Sequence, residues 1–272
     1  MESKTPTLTG DTDPPVTMQI RETIAEIQFN RPAVLNAIDL DTALTLNAVL
    51  KQIRSIPDVR TVVLKGSGRG FMAGGDLSYF ERANRYAPTA SRRLLEPMHE
   101  AIRNLADLPC PVIASVHGPV AGAGMSLAMI ADLCVAAQSA RFNLAYLGIG
   151  NSVDCGASWS LPRLVGLRKA MEIALLCETL TASDAQRTGI VNFVVSDDQL
   201  AAETESLARR IAALPPTAAT SVKRQFNSSF QHSLKEQLDH ELSAFVRNAK
   251  TADFMEGVRA FLQKRAPHFT GQ

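Results

Sequence analysis

Phe71-Met72-Ala73-Gly74-Gly75-Asp76-Leu77 and His117-Gly118-Pro119-Val120-Ala121-Gly122-Ala123-Gly124-Met125-Ser126-Leu127 decide how this chain is read. Each follows an apolar run with the composition of a buried strand, Val62-Val63-Leu64 before the first and Val112–Val116 before the second. The second leads straight into a helix-like segment. Small residues at such a bend let the backbone approach a ligand closely and point its N–H groups outward. Two N–H groups that converge on one oxygen make an oxyanion hole, which stabilises negative charge as it develops during a reaction.

Outward from these bends, the pattern alternates strands with helices. Val16–Ile20 and Thr23–Phe29 read as two strands joined by a tight turn, ended by Asn30-Arg31-Pro32. Asp39 is placed to cap a helix that runs to about Ile53, with Leu46, Val49 and Ile53 among its apolar positions. Arg92–Leu105 reads as a helix stopped before Pro109, and Leu133–Ala137 as a further strand. Such alternation predicts parallel βαβ units and an α/β core. Beyond Val191–Val195 the strand signal fades, and amphipathic helical segments broken at Pro215-Pro216 and around Asn227–His232 fill residues 197–265. The expected division is a leader over 1–15 without fixed structure, a core over 16–196 and a helical region over 197–272.

Composition narrows the class. With 272 residues and 46% hydrophobic content the chain can bury a large core. A net charge of +1 and no basic patch with interleaved aromatics argue against nucleic acid as a partner. No run approaches the length of about eighteen apolar residues that spans a membrane. Cys110, Cys134, Cys155 and Cys177 are scattered, with no histidine at metal-ligand spacing, so no metal is expected and reduced thiols in a cytoplasmic protein are.

Six blocks, in order, resemble the crotonase (enoyl-CoA hydratase/isomerase) superfamily. They are the two glycine-rich bends, Asn30-Arg31-Pro32-Ala33-Val34-Leu35-Asn36-Ala37, Leu161-Pro162-Arg163-Leu164-Val165-Gly166, Gly189-Ile190-Val191, and the stretch from Glu256 to Arg265. The resemblance implies a spiral of ββα turns with a C-terminal helical region that packs subunits into trimers, often paired as hexamers. It implies an acyl-CoA thioester as substrate and no cofactor beyond that coenzyme A. The thioester oxygen would lie between the amides of Gly75 and Ala123, the latter at a helix N-terminus. Backbone at Ala73, Gly74, Asp76 and Leu77 would wrap the adenine, and Phe261 and Lys264 would reach it from the C-terminal helix, often that of a neighbouring subunit. Ala33-Val34 stand where the early turn of many relatives carries a lysine.

An oxyanion hole moves no proton, so a base is needed beside it. Hydratases of this superfamily use two glutamates; the matching positions here are Ser126 and Tyr146. Asp154, within Gly150-Asn151-Ser152-Val153-Asp154-Cys155-Gly156, instead matches the single acid/base of certain enoyl-CoA isomerases. Val153, Trp159, Leu147 and Ile149 are the apolar neighbours expected to surround it, and a helix N-cap is its competing role. Asp154 and His99 also fall where aryl-CoA dehalogenases of the superfamily place a nucleophilic aspartate and a histidine base, with Tyr146 where they have tryptophan. Double-bond isomerisation is the leading expectation. Hydration without the glutamate pair, aryl-CoA dehalogenation or hydrolysis, and thioester binding without turnover stay open.

Overall fold

A computed structural model describes residues 13–272, so the leader, apart from its last three residues, lies outside the described part. β1 (Val16–Arg21) and β2 (Ile24–Phe29) form an antiparallel hairpin, and α1 (Leu40–Arg54) follows. The Asp39 carboxylate caps α1 by accepting from the Thr42 N–H at 2.9 Å. β3 (Thr61–Gly66) leads through the first glycine-rich bend to α2 (Leu77–Ala83) and the long α3 (Ala87–Ala106). β4 (Val112–Val116), β5 (Pro119–Ala121) and α4 (Ala123–Ile130) carry the second bend. β6 (Leu133–Ala137), β7 (Arg141–Asn143), α5 (Ala157–Val165), α6 (Leu167–Leu176), β8 (Leu180–Thr181), α7 (Ala182–Arg187) and β9 (Phe193–Val195) complete the α/β part. Four helices end the chain: α8 (Leu200–Ala212), α9 (Pro216–Ser229), α10 (Leu234–Asn248) and α11 (Ala252–Leu262).

The strands form a spiral. Six of them order as β1-β2-β3-β4-β6-β9, all parallel after the first pair, and β5-β7-β8 form a second, smaller sheet. Each turn contributes one strand to the large sheet and one short segment to the small one: β3 then Met72, β4 then β5, β6 then β7. Met72 bridges Val120, and Pro119 pairs with Arg141, so successive turns stack in register. One face of the large sheet packs on α1 and α3 through Leu46, Leu50, Met98 and Leu105, all at most 1% exposed. The other face carries Val63, Ile113 and Val135 against Ala208 of α8. The Ser115 and Thr204 hydroxyls, 2.9 Å apart, pair across that contact. The helical region is therefore not all appendage: α8 lies on the core sheet, and a division at residue 196 does not separate it from the core.

The short bends of the spiral depend on one early turn. Leu35 and Asn36 take left-handed backbone (φ 51° and 57°), a conformation asparagine tolerates better than most residues. The turn places the Asn36 side chain, 1% exposed, inside the loop after β3. Its amide nitrogen donates to the carbonyls of Ser67 (2.9 Å), Gly70 (3.0 Å) and Phe71 (3.1 Å), and its oxygen accepts from the Arg31 N–H (2.8 Å). Removing this side chain leaves several buried polar groups without partners. Asn36→Ala should lower the unfolding free energy by about 2–4 kcal/mol, read by thermal and denaturant unfolding.

Candidate active site

The early turn also holds the first glycine-rich bend. Ala73 N–H donates to Leu35 O (3.0 Å), Ile38 N–H to Gly74 O (2.8 Å) and Asp76 N–H to Ile38 O (2.8 Å). The second bend is fixed to the first and to β7, with Ala121 N–H on Met72 O and Gly122 N–H on Asn143 O, both 2.8 Å. These bonds fix both bends without using two of their amides. Gly75 N–H has no protein acceptor among the described residues, and Ala123, as the first residue of α4, has none within its helix. Gly74 (φ 103°) and Gly122 (φ 51°) press together where the bends meet. A Cβ on Gly74 would lie 3.3 Å from Ala121 O and 3.7 Å from Ala123 N, and one on Gly122 would lie 3.4 Å from Gly74 Cα. Two loops with unpaired amides thus meet closely, and the positive φ at Gly74 and Gly122 is what calls for glycine there.

Asp76, one of the expected coenzyme contacts, has a carboxylate already committed. It caps α2 through Ser78 N–H (3.1 Å) and Ser78 Oγ (2.7 Å), and it pairs with Arg31 Nη2 at 3.2 Å. Arg31 also pairs with Asp39 at 2.9 Å and donates to Ala37 O, joining cap, turn and loop. Burial opposes the Asp76 charge, but the hydrogen bonds from Ser78 and Arg31 and the nearby guanidinium outweigh it and hold the carboxyl below its ordinary value. Leu77 is 54% exposed beside it.

Asp154 is reached from a different direction. It sits ahead of α5 but does not cap it; Gly156 holds the N-cap position without a side-chain bond, so the capping role is not observed. Its Oδ1 lies 2.7 Å from His99 Nε2 on α3, and that imidazole is 45% exposed. Its main-chain carbonyl accepts from Ser126 Oγ (3.0 Å), Tyr146 OH (3.2 Å) and Ala157 N–H (3.1 Å). The two hydroxyls are 3.1 Å apart, and Ser126 Oγ also lies 3.2 Å from Gly122 O. One buried hydroxyl therefore links the residue before Ala123 to the Asp154 backbone. Burial, then the neighbouring Cys155, pushes the Tyr146 phenol well above its usual range, so it stays protonated. Burial and the Asp154 charge likewise raise the Cys155 thiol, which makes it an inert filler.

The structure thus brings His99, Ser126, Tyr146 and Asp154 into one hydrogen-bonded group. The contact between the Ser126 and Tyr146 hydroxyls had no local signal, since the two stand twenty residues apart in sequence. Asp154's apolar surroundings are thinner than expected. Val153 packs on the core, but Leu147 and Ile149 are 46% and 54% exposed, and the Trp159 ring lies over Arg163 instead. Phe261 and Lys264 are not beside the chain's own bends. The tail after α11 is tied by Arg60, just before β3, to Phe269 O and Thr270 O, whereas Gly75 lies beyond the opposite end of that strand. Among the described residues no cluster of three or more acidic, histidine or cysteine side chains could hold a metal, and no helix is long and apolar enough to cross a membrane.

Comparison with known proteins gives this arrangement its context. The family model described as "Enoyl-CoA hydratase/isomerase" matches residues 19–272. The chain belongs to the enoyl-CoA hydratase/isomerase family. Within it, a probable enoyl-CoA hydratase of Rhodobacter capsulatus is 39% identical over 254 residues, covering 93% of this chain and 97% of that protein. The 1,2-epoxyphenylacetyl-CoA isomerase of Escherichia coli K12 is 38% identical over 256 residues, with the same two coverages. The crystal structure of an enoyl-CoA hydratase from Polaromonas sp. JS666 superposes with a TM-score of 0.90 at 33% identity, over 94% of this chain and 99% of that one. The crotonase-type spiral with C-terminal helices is shared with that neighbour.

In this family member, Asp76 offers a test of the loop. Its folded pKa is depressed, so its stabilising effect is complete above the unfolded value near 3.8 and is lost as pH falls through the lower folded value. Asp76→Asn should cost about 1–2 kcal/mol at pH 7. The gap to the unaltered protein should close in acid below pH 4, as unfolding curves across pH would show.

Proposed function

We propose that this enzyme moves the double bond of an enoyl-CoA, with Asp154 as its single acid/base and the Gly75 and Ala123 amides as the enolate's hydrogen-bond donors. The observation that supports the reading is that Ser126 and Tyr146, at the hydratase glutamate positions, are hydrogen-bonded to the backbone of Asp154, and Ser126 links it to Gly122 beside Ala123. With a 3-enoyl-CoA, the Asp154 carboxylate takes a proton from C2, and the C–H electron pair moves into the carbonyl to give a dienolate. The amides hold the oxygen's charge, each worth about 3–4 kcal/mol in the transition state. Asp154 then returns the proton to C4 and the C2–C3 double bond forms. Atoms balance without water or a second reactant.

His99 anchors one carboxylate oxygen and leaves the other for the substrate. The relative named as a 1,2-epoxyphenylacetyl-CoA isomerase shows that rearrangement of an acyl-CoA occurs at this level of similarity, beside relatives named as hydratases. The same 2.7 Å contact favours one second reading, in which Asp154 attacks the halogen-bearing ring carbon of an aryl-CoA. Halide leaves to give an aspartyl aryl ester, and a His99-assisted water hydrolyses that ester to the hydroxyaryl-CoA and the free carboxylate. For assembly, we infer a homotrimer or a pair of trimers. The stripe Leu234, Leu238, Leu242 and Phe245 on α10, each more than half exposed, would be covered by another copy, and Phe261 and Lys264 would then serve a neighbouring site.

Conversion of a 3-enoyl-CoA to the 2-enoyl-CoA, followed by absorbance, tests the assignment. Asp154→Asn should lower kcat by about a thousandfold or more with little change in KM. Full turnover in that variant would refute the isomerase reading. Tyr146→Phe should cost about tenfold in kcat and nothing further when added to Asp154→Asn. Label from 18O-water found in Asp154 after a single turnover would instead select the ester pathway.

A further inference from the structure

Asn143 ends β7, one residue past Phe142, which pairs with Leu180 of β8. Its side-chain amide is fully engaged. Oδ1 accepts from the Ala145 N–H at 2.6 Å, and Nδ2 donates to Cys177 O at 2.7 Å and to Thr179 Oγ1 at 3.0 Å. These partners fix which end of the amide is which, because the other orientation would set Nδ2 against an N–H and Oδ1 against a carbonyl. The main-chain carbonyl of the same residue accepts from Gly122 N–H, next to Ala123.

What this side chain holds is a strained turn. Ala145 takes left-handed backbone, φ 54°, which costs alanine energy that glycine or asparagine would be spared. Ala145 is exposed, so packing of its methyl does not hold the conformation. The bond from its N–H to Asn143 Oδ1 does. Tyr146 follows directly and controls both ends of the loop to Asp154. Its carbonyl accepts from the N–H groups of Ile149 (3.2 Å) and Asn151 (3.0 Å), and its hydroxyl donates to Asp154 O at 3.2 Å. We propose that Asn143 is a positioning residue for this site: by holding the Ala145 turn it places Tyr146, and through Tyr146 the loop that aims the Asp154 carboxylate. The inference rests on Asp154 as the acid/base. Asn143 acts through Tyr146 and not on the substrate.

With a 3-enoyl-CoA, Asn143→Ala should lower kcat by about tenfold and leave KM within about twofold. Added to Asp154→Asn it should cost nothing further, because the carboxylate it places is gone. Ala145→Gly, which removes the cost of the left-handed turn, should restore most of the kcat lost in Asn143→Ala. A second readout needs no substrate. Burial keeps the Tyr146 phenol protonated, so its share of the alkaline tyrosinate absorbance is the part that Tyr146→Phe lacks. That share should appear at lower pH in Asn143→Ala, with far-ultraviolet circular dichroism unchanged. An unmoved tyrosinate step, undiminished kcat, no recovery with Ala145→Gly, or a further loss of about tenfold on the Asp154→Asn background would overturn the proposal. Full turnover in Asp154→Asn, or no isomerisation by the unaltered protein, would refute the isomerase reading instead. A tyrosinate step moved by Asn143→Ala in that case still supports the hold of Asn143 on Tyr146.

Discussion

Everything at the head of the spiral hangs on a buried amide. Asn36 gathers three carbonyls of the loop after β3 onto one nitrogen, and its left-handed backbone is what aims it there. The same turn exchanges backbone bonds with Ala73, Gly74 and Asp76. Within the bend held by these bonds, Gly75 N–H has no acceptor among the described residues. A donor of this kind is preorganised: its direction is paid for during folding, not during reaction.

The second bend gains its position from the first. Gly74 and Gly122 touch backbone to backbone, so a shift in either loop moves the other. Ser126 extends the linkage, since its hydroxyl lies within bonding distance of both Gly122 O and Asp154 O. Amide donors and carboxylate are thus joined by a short chain of hydrogen bonds and do not depend on long loops for their spacing. A site whose parts must agree to about half an ångström needs such short linkage.

Much of this was legible in the sequence, and the reasons differ by element. Long periodic segments such as Leu40–Arg54 and the apolar strands Val112–Val116 and Leu133–Ala137 announce themselves because local pattern and burial agree. The three-residue strands β5 and β7 do not, since their pairing is set by stacking between spiral turns. Gly75, Ala123 and Asp154 were marked by motif. The partners of Asp154 were harder: His99, Ser126 and Tyr146 come from α3, α4 and the loop after β7, and only the spiral makes them neighbours. The role of Arg31 as a clamp between the Asp39 and Asp76 caps was invisible for the same reason. Trp159 went the other way, drawn from Asp154 by the Arg163 guanidinium four residues on.

Counting protons in the Ser126–Tyr146 pair clarifies why the chemistry of this chain would differ from hydration. The two hydroxyls bring two hydrogens, and the nearby Gly122 and Asp154 carbonyls, together with the Ser126 oxygen, can accept both. Neither oxygen is then free to activate a water. Losing the Tyr146 proton would be costly as well, since burial and the Cys155–Asp154 side of the pocket disfavour a phenolate. A glutamate at either place would ionise and hold water; a hydroxyl bonded to a main-chain carbonyl does neither. On the proposed reading, the substitution of the two glutamate positions does more than remove a function. It turns them into the support that holds the backbone of the remaining carboxylate, which on that reading takes the proton from one substrate carbon and returns it to another.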